Sequence, residues 1–417
     1  MNKYTLSNGL RVMLEHIPSV RSVSFGIWVK TGSRSERPEE NGISHFIEHM
    51  MFKGTEKYSA REIAEIFDGI GGNVNAFTSK EYTCYYFKVL DEHLLLAIDV
   101  LSEMVLNAKL DEAELEKEKK VIFEEIAMYE DTPDDLVHDL IAEAAYGSHS
   151  LAYPILGTEE KLLKMNPDML RSYMNEHYHA GNIVISAAGN VDESLLQELE
   201  RHFSSVSVRL GSAVLQEPKF VGEAVFHGKQ TEQHHICLAF PGCSIHDQRQ
   251  TAMILLNNVI GGSMSSRLFQ EIRENRGLAY SVYSYHSAHE DSGMFTIYTG
   301  TAPEQTMEVL ERTLSILHQV REHGITDQEL SKSKDQMKGN LIISLESTSS
   351  RMNRNGKKEL MGEKHETLDE MIARIENVTQ EHIREVIQRM FAQPFALAMA
   401  GGSDQVIANV RRDQLVI

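Results

Sequence analysis

Val23, Phe25, Ile27 and Val29 alternate with Ser24, Gly26 and Trp28, the period-two pattern of a strand with one apolar face. Tyr85, Phe87 and Val89 repeat it less cleanly, and apolar runs at 183–188, 236–240, 294–298 and 395–400 have the length of buried strands. Between them the period changes. Leu94 to Leu106 and Met307 to Val320 carry the spacing of long helices. Ile43, Phe46, Ile47, Met50 and Met51 recur at i, i+3, i+4, i+7 and i+8, which predicts a short amphipathic helix with Gly54 as its stop. Strands and helices in this mixture, with hairpin-like spacing early on, predict an α+β fold of mostly antiparallel sheets covered by helices.

The pattern also repeats. A helix starting at Asp168 leads to the strand at 183–188 and then Gly189-Asn190-Val191-Asp192. A helix near Glu381 leads to 395–400 and then Gly401-Gly402-Ser403-Asp404. The acidic run 111–117 is echoed by 326–332. Two related halves are the simplest account. The expected division is 1–205, a linker at 206–218 rich in Ser and small residues, and 219–417.

Composition narrows the function classes. With 41% apolar and 24% charged residues the chain reads as globular. It holds no apolar run of about 18 residues, so no membrane-spanning helix is expected. The N-terminus lacks the apolar stretch of a secretory signal, and Cys84, Cys237 and Cys243 lack C-x-x-C spacing. Reduced, mostly buried thiols and a cytoplasmic location are the expectation. A formal charge of −20 argues against nucleic acid or anionic lipid as partner and is compatible with cationic peptides.

The candidate chemistry lies on the predicted helix at Ile43. His45 and His49 sit one turn apart on the same face, which suits two ligands of one zinc ion. Glu48 stands beside the second imidazole. The pattern is H-x-x-E-H, the inverse of a metalloprotease motif. A third protein ligand is needed, and the helical run from about Asp111 to Glu130 offers several acids. Glu118, Val121, Glu125 and Met128 fall on one stripe, with Glu124 about 100° away. Periodicity alone leaves the choice among these acids open. The second half has no such motif; its corresponding stretch reads Asn257-Asn258-Val259-Ile260-Gly261-Gly262-Ser263-Met264. Gly261-Gly262-Ser263 lacks the Gly-Lys-Ser/Thr ending of a phosphate-binding loop and reads as a tight turn.

The stretches 42–55, 71–78 (Gly-Gly-Asn-Val-Asn-Ala-Phe-Thr), 121–126 and 273–282 together resemble the pitrilysin or M16 metallopeptidases, most closely bacterial relatives of the processing-peptidase β subunit. The likeness covers nearly the whole chain. It implies two homologous halves enclosing a cleft or chamber, one Zn2+ per chain held by His45, His49 and Glu125, and Glu48 as general base. Glu118 would support the site without binding metal. Asn75, Ala76 and Phe77 would lie on the edge strand that holds the substrate backbone, and Arg273 and Tyr280 would be the pair supplied by the second half. Asp135 and Asp139 resemble acids that processing peptidases place near a substrate arginine.

The function expected is a zinc endopeptidase cutting extended or unfolded peptides, including basic, presequence-like ones, as a homodimer. The alternative is a non-catalytic peptide-binding or structural homologue. Such members have generally lost part of the metal motif, whereas His45, Glu48, His49 and Glu125 are all present here. A small-molecule hydrolase built on the same motif is more remote, because the second half keeps its own Arg273 and Tyr280.

Overall fold

The computed structural model describes residues 1–209 and 216–402, so the middle of the expected linker lies outside the described residues. Among the described residues, eleven strands form two sheets. The first contains β1 (Asn2–Thr5), β2 (Arg11–His16), β3 (Ser22–Val29), β4 (Asn73–Thr78), β5 (Thr83–Leu90) and β6 (Ile183–Gly189), in the order β1-β2-β6-β3-β5-β4. The second contains β7 (Ala224–His227), β8 (His234–Pro241), β9 (Ala279–Ala288), β10 (Gly293–Thr301) and β11 (Ala396–Ala400), in the order β7-β11-β8-β10-β9. Remove β1 and the two orders correspond strand for strand. Each sheet has one parallel pair, β2 with β6 and β7 with β11, at the equivalent place. The repeat read in the sequence is therefore a repeat of topology.

The predicted α+β class holds, and several elements match their patterns closely: Leu94–Leu106 is one helix, and Thr306–His323 contains the second periodic run. The helix Ile43–Met51 buries all five of its patterned apolar side chains. Burial of each contributes roughly 1.5–3 kcal/mol. It ends three residues before Gly54, which takes a positive φ of 104° in the turn that follows. All three cysteines are free and buried. Among the described residues no helix is long and apolar enough to cross a membrane.

Alternation in β3 works differently from a half-exposed strand, because both of its faces are buried. Val23, Phe25, Ile27 and Val29 point into the main core with Phe46 and Ile47. Ser24 and Gly26 face the helix Thr348–Leu360. Ser24 Oγ lies 2.9 Å from Thr348 Oγ1, Ser186 Oγ donates to the Met352 carbonyl at 2.8 Å, and a Cβ on Gly26 would lie 2.7 Å from Met352 Sδ. Small residues on this face let the helix approach the sheet closely.

The chain divides into two compact units that do not follow a single cut. One comprises 1–126, 154–215 and 342–365; the other comprises 127–153, 216–341 and 366–417. This differs from the expected boundaries at 205 and 219. In the first unit the helix covering the second sheet face comes from late sequence. In the second unit the helix Pro133–Tyr146, from early sequence, packs Val137, Ile141, Ala144 and Ala145 against Ala239, Met294, Ala396 and Ala398. Each half of the sequence donates one covering helix to the sheet of the other. Local periodicity carries no information about which sheet a helix will cover.

Candidate metal centre

Helix Ile43–Met51 is fixed at its N-terminus by a buried carboxylate. Glu36 accepts from the Asn41 side chain at 2.9 Å, the Gly42 amide at 2.8 Å and the Ser44 amide at 2.9 Å. These satisfy amides that a helix start otherwise leaves unpaired, and a carboxylate there suits the helix dipole. Gly42 has φ of 99° and packs against Gly157, where a Cβ would lie 2.7 Å from the Gly42 Cα. Only glycine fits at this crossing.

The facing helix, Glu112–Glu130, starts where Asp111 Oδ1 accepts from the amides of Ala113 at 2.9 Å and Glu114 at 3.1 Å. Its core side is Leu115, Glu118, Lys119, Ile122 and Ile126. Val121 and Met128, expected on the same stripe as Glu118 and Glu125, are exposed. The apolar members of that stripe do not face the core, because the helix presents an acidic side to the H-x-x-E-H helix.

Three donors converge between these helices. His45 Nε2 and His49 Nε2 are 3.2 Å apart, His45 Nε2 and Glu125 Oε2 3.8 Å, and His49 Nε2 and Glu125 Oε2 3.6 Å. A point equidistant from the three lies roughly 2.1 Å from each, the bond length of zinc to imidazole nitrogen or carboxylate oxygen. Burial, and then the neighbouring His49, push the His45 imidazole down to about 3, so it is neutral at ordinary pH. Two imidazole nitrogens and a carboxylate oxygen brought this close are rich in lone pairs. The donor set fits a divalent cation.

Glu118 completes the orientation. His49 Nδ1 donates to Glu118 Oε1 at 2.9 Å, which leaves the Nε2 lone pair aimed at the common point. The other oxygen takes an ion pair from Lys53 at 2.5 Å. Burial would raise the Glu118 carboxyl, but the contacts with His49 and Lys53 outweigh it and hold the group below its usual range. Glu48, one residue before His49, accepts a hydrogen bond from Thr78 Oγ1. Burial pushes its carboxyl up, against the Thr78 bond and the His49 ring.

Thr78 ends β4, which pairs on one side with β5 and stands at the edge of its sheet. Asn75, Ala76 and Phe77 therefore lie on an edge strand attached directly to Glu48. Arg273 and Tyr280 belong to the second unit and touch each other: the guanidinium lies 4.6 Å from the Tyr280 ring centroid and 4.9 Å from that of Phe269. Arg273 sits on the π-helical turn Phe269–Glu274, and Tyr280 on β9 is 76% exposed. Asp135 and Asp139, one turn apart on the helix Pro133–Tyr146, lie by Tyr129, whose hydroxyl donates to the Asp135 carbonyl at 2.9 Å. Burial and then Asp139 raise the Tyr129 phenol above its ordinary range.

The family model described as Insulinase (Peptidase family M16) matches residues 11–159, and the Peptidase M16 inactive domain matches 164–337. A Bacillus subtilis protein named as an uncharacterized zinc protease is 54% identical over 97% of this chain and 98% of its own length. The chain belongs to peptidase family M16. A Streptomyces coelicolor relative, also named an uncharacterized zinc protease, is 42% identical over 96% of this chain and 89% of its own length. Two solved structures share the fold. A peptidase M16 inactive domain from Pseudomonas fluorescens has a TM-score of 0.89 at 19% identity, covering 96% of this chain and 98% of its own. A Helicobacter pylori protease has 0.87 at 22%, covering 96% and 99%.

Three residues of this M16 site escape a reading of spacing. Thr78 and Lys53 touch Glu48 and Glu118 across the fold, and Glu36 caps the helix from seven residues upstream of Ile43. Lys53 and Thr78 lie inside the stretches that carry the family likeness, which was the available signal.

Proposed function

We propose that this chain is a zinc-dependent endopeptidase that hydrolyses extended or unfolded peptides, basic presequence-like ones among them. The observation that carries the reading is the convergence of His45, His49 and Glu125 on one point, with Glu48 beside it and an edge strand bonded to Glu48. Zinc held by those three donors would lower the pKa of a water to about 7 and polarise a carbonyl.

The chain's own residues do the rest. Glu48 takes a proton from the attacking water at its carboxylate and returns it to the nitrogen of the leaving amine. Its partner Thr78 fixes the carboxylate orientation. Glu118 keeps the proton of His49 on Nδ1, away from the cation. The free edge of β4 binds the substrate main chain and so accepts varied side chains. In the roles proposed for them, Arg273 and Tyr280 donate to the carbonyl oxygen as it gains charge, and Asp135 and Asp139 receive a basic substrate side chain. The charge of −20 favours approach of cationic peptides.

The test is Glu48→Gln in the full chain, assayed on a mixed peptide library with and without chelator. Zinc content should match the unaltered protein while cleavage falls by at least about 100-fold, and chelator should abolish cleavage by the unaltered protein. Turnover by the variant close to the unaltered rate would remove Glu48 from its role.

A further inference from the structure

One short segment grips both partners of the Thr78–Glu48 contact. Residues 31–36 follow the end of β3 and reach the β4–β5 turn, residues 79–82, on one side and the start of helix Ile43–Met51 on the other. At the turn, the Arg34 amide donates to the Lys80 carbonyl at 2.7 Å and the Ser33 amide to the Ser79 carbonyl at 3.3 Å. Thr83 Oγ1 donates to the Thr31 carbonyl at 2.9 Å. The approach is close, since a Cβ on Gly32 would lie 2.1 Å from the Ser79 carbonyl oxygen. Arg34 Nη1 then donates to Glu81 Oε1 at 2.6 Å, an ion pair whose side chains are 0% and 6% exposed. At the helix, Glu36 takes the Gly42 and Ser44 amides, and the Tyr173 hydroxyl lies 2.7 Å from Thr31 Oγ1 and 3.0 Å from Ser44 Oγ.

Thr78 is the residue before that turn, and Glu48 lies on the helix that Glu36 caps. We propose that Arg34 and Glu81 are positioning residues for peptide hydrolysis: their buried ion pair fixes the turn that carries Thr78 and so sets the Glu48 carboxylate against the metal centre. The inference rests on the peptidase reading with Glu48 as base. A buried ion pair adds little net stability over apolar side chains of its size, but a charge-assisted hydrogen bond is directional and defines a position. Placement matters at that scale, because a shift of about 1 Å at a reacting group costs about 100-fold in rate. Arg34 and Glu81 act through Thr78 and not on the reacting atoms.

The experiment uses zinc-loaded full-length protein, a peptide that it cleaves, and the variants Glu81→Gln, Thr78→Val and the two together. Glu81→Gln should lower kcat about 10- to 100-fold with KM and zinc affinity unchanged. It should add nothing to the loss in Thr78→Val, because both changes release the same contact. Unchanged kcat in Glu81→Gln, or a loss confined to KM, overturns the proposal. Losses that multiply in the double variant overturn it too, as does a fall in zinc affinity that tracks kcat. If Glu81→Gln does not fold, Arg34→Lys takes its place with the same outcomes, since it keeps the opposite charges but not the planar fork. If the unaltered zinc-loaded protein cleaves no peptide, the peptidase reading fails by itself. Amide hydrogen exchange then judges the anchorage of the turn: the Arg34 and Ser79 amides should lose protection in the variant while β3 and β6 keep theirs. Unchanged protection at both amides overturns it.

Discussion

Two acids seven residues apart on one helix have separate tasks at this site. Glu125 reaches the point shared with His45 and His49, and Glu118, two turns earlier, reaches the far nitrogen of His49 and the ammonium of Lys53. Helical periodicity put both on one stripe and could not tell them apart, because which atom each meets depends on where the partner helix crosses. His45, Glu48 and His49 were legible for the opposite reason: their geometry is set within a single turn. Glu118→Ala should leave the fold intact yet weaken zinc binding by about 10- to 100-fold, the usual effect of losing an outer hydrogen-bond partner. Competition with a chromophoric chelator measures this. Undiminished zinc affinity would show that Glu118 does not orient His49. Thr78 could not be found by any spacing argument, since it meets Glu48 through the register of β4 and not through the helix that carries Glu48.

At the level of elements, the sheet of the first unit receives its covering helix through small side chains and polar pairs. Gly356 lies against the Trp28 indole, where a Cβ would come within 2.6 Å of the ring Cδ1. Around it Arg11 Nη1 donates to the Glu359 carbonyl at 3.0 Å, and Asn355 donates to Glu15 at 2.7 Å. Gly356→Ala should therefore destabilise by about 1–3 kcal/mol, as overpacked sites do. Gly339→Ala, in the helix Asp327–Ser344 with nothing within 4 Å of its Cβ, should stabilise by up to about 1 kcal/mol on helix propensity. Denaturant titration of the two variants side by side checks the contrast, and equal effects would refute the packing account. Strand patterns were readable here because Val23, Phe25 and Ile27 mark the core face plainly. The burial of Ser24, Gly26 and Ser186 was not readable, since small polar residues in that pattern look solvent-facing until a helix is known to cover them.

For the whole molecule, duplication was legible and exchange was not. The repeated helix–strand–glycine endings pointed to two related halves, and the sheet orders repeat accordingly. Nothing in the periodicity of 133–146 or 348–360 says that each packs with the other half's sheet, because an amphipathic helix specifies a face and not an address. A fragment ending at 205 lacks the helix that covers Ser24, Gly26 and Ser186. That fragment should bind a hydrophobic dye and lose cooperative unfolding, and a compact, dye-silent fragment would contradict the exchange. The same arrangement governs birth as well as stability. Contacts such as Ser24 with Thr348 join residues 324 positions apart, so a chain emerging from the ribosome holds an unfinished zinc-motif sheet until nearly all of it has been translated. Closure of the outer face of this sheet is then a late event of synthesis, long after the strands that form it have emerged.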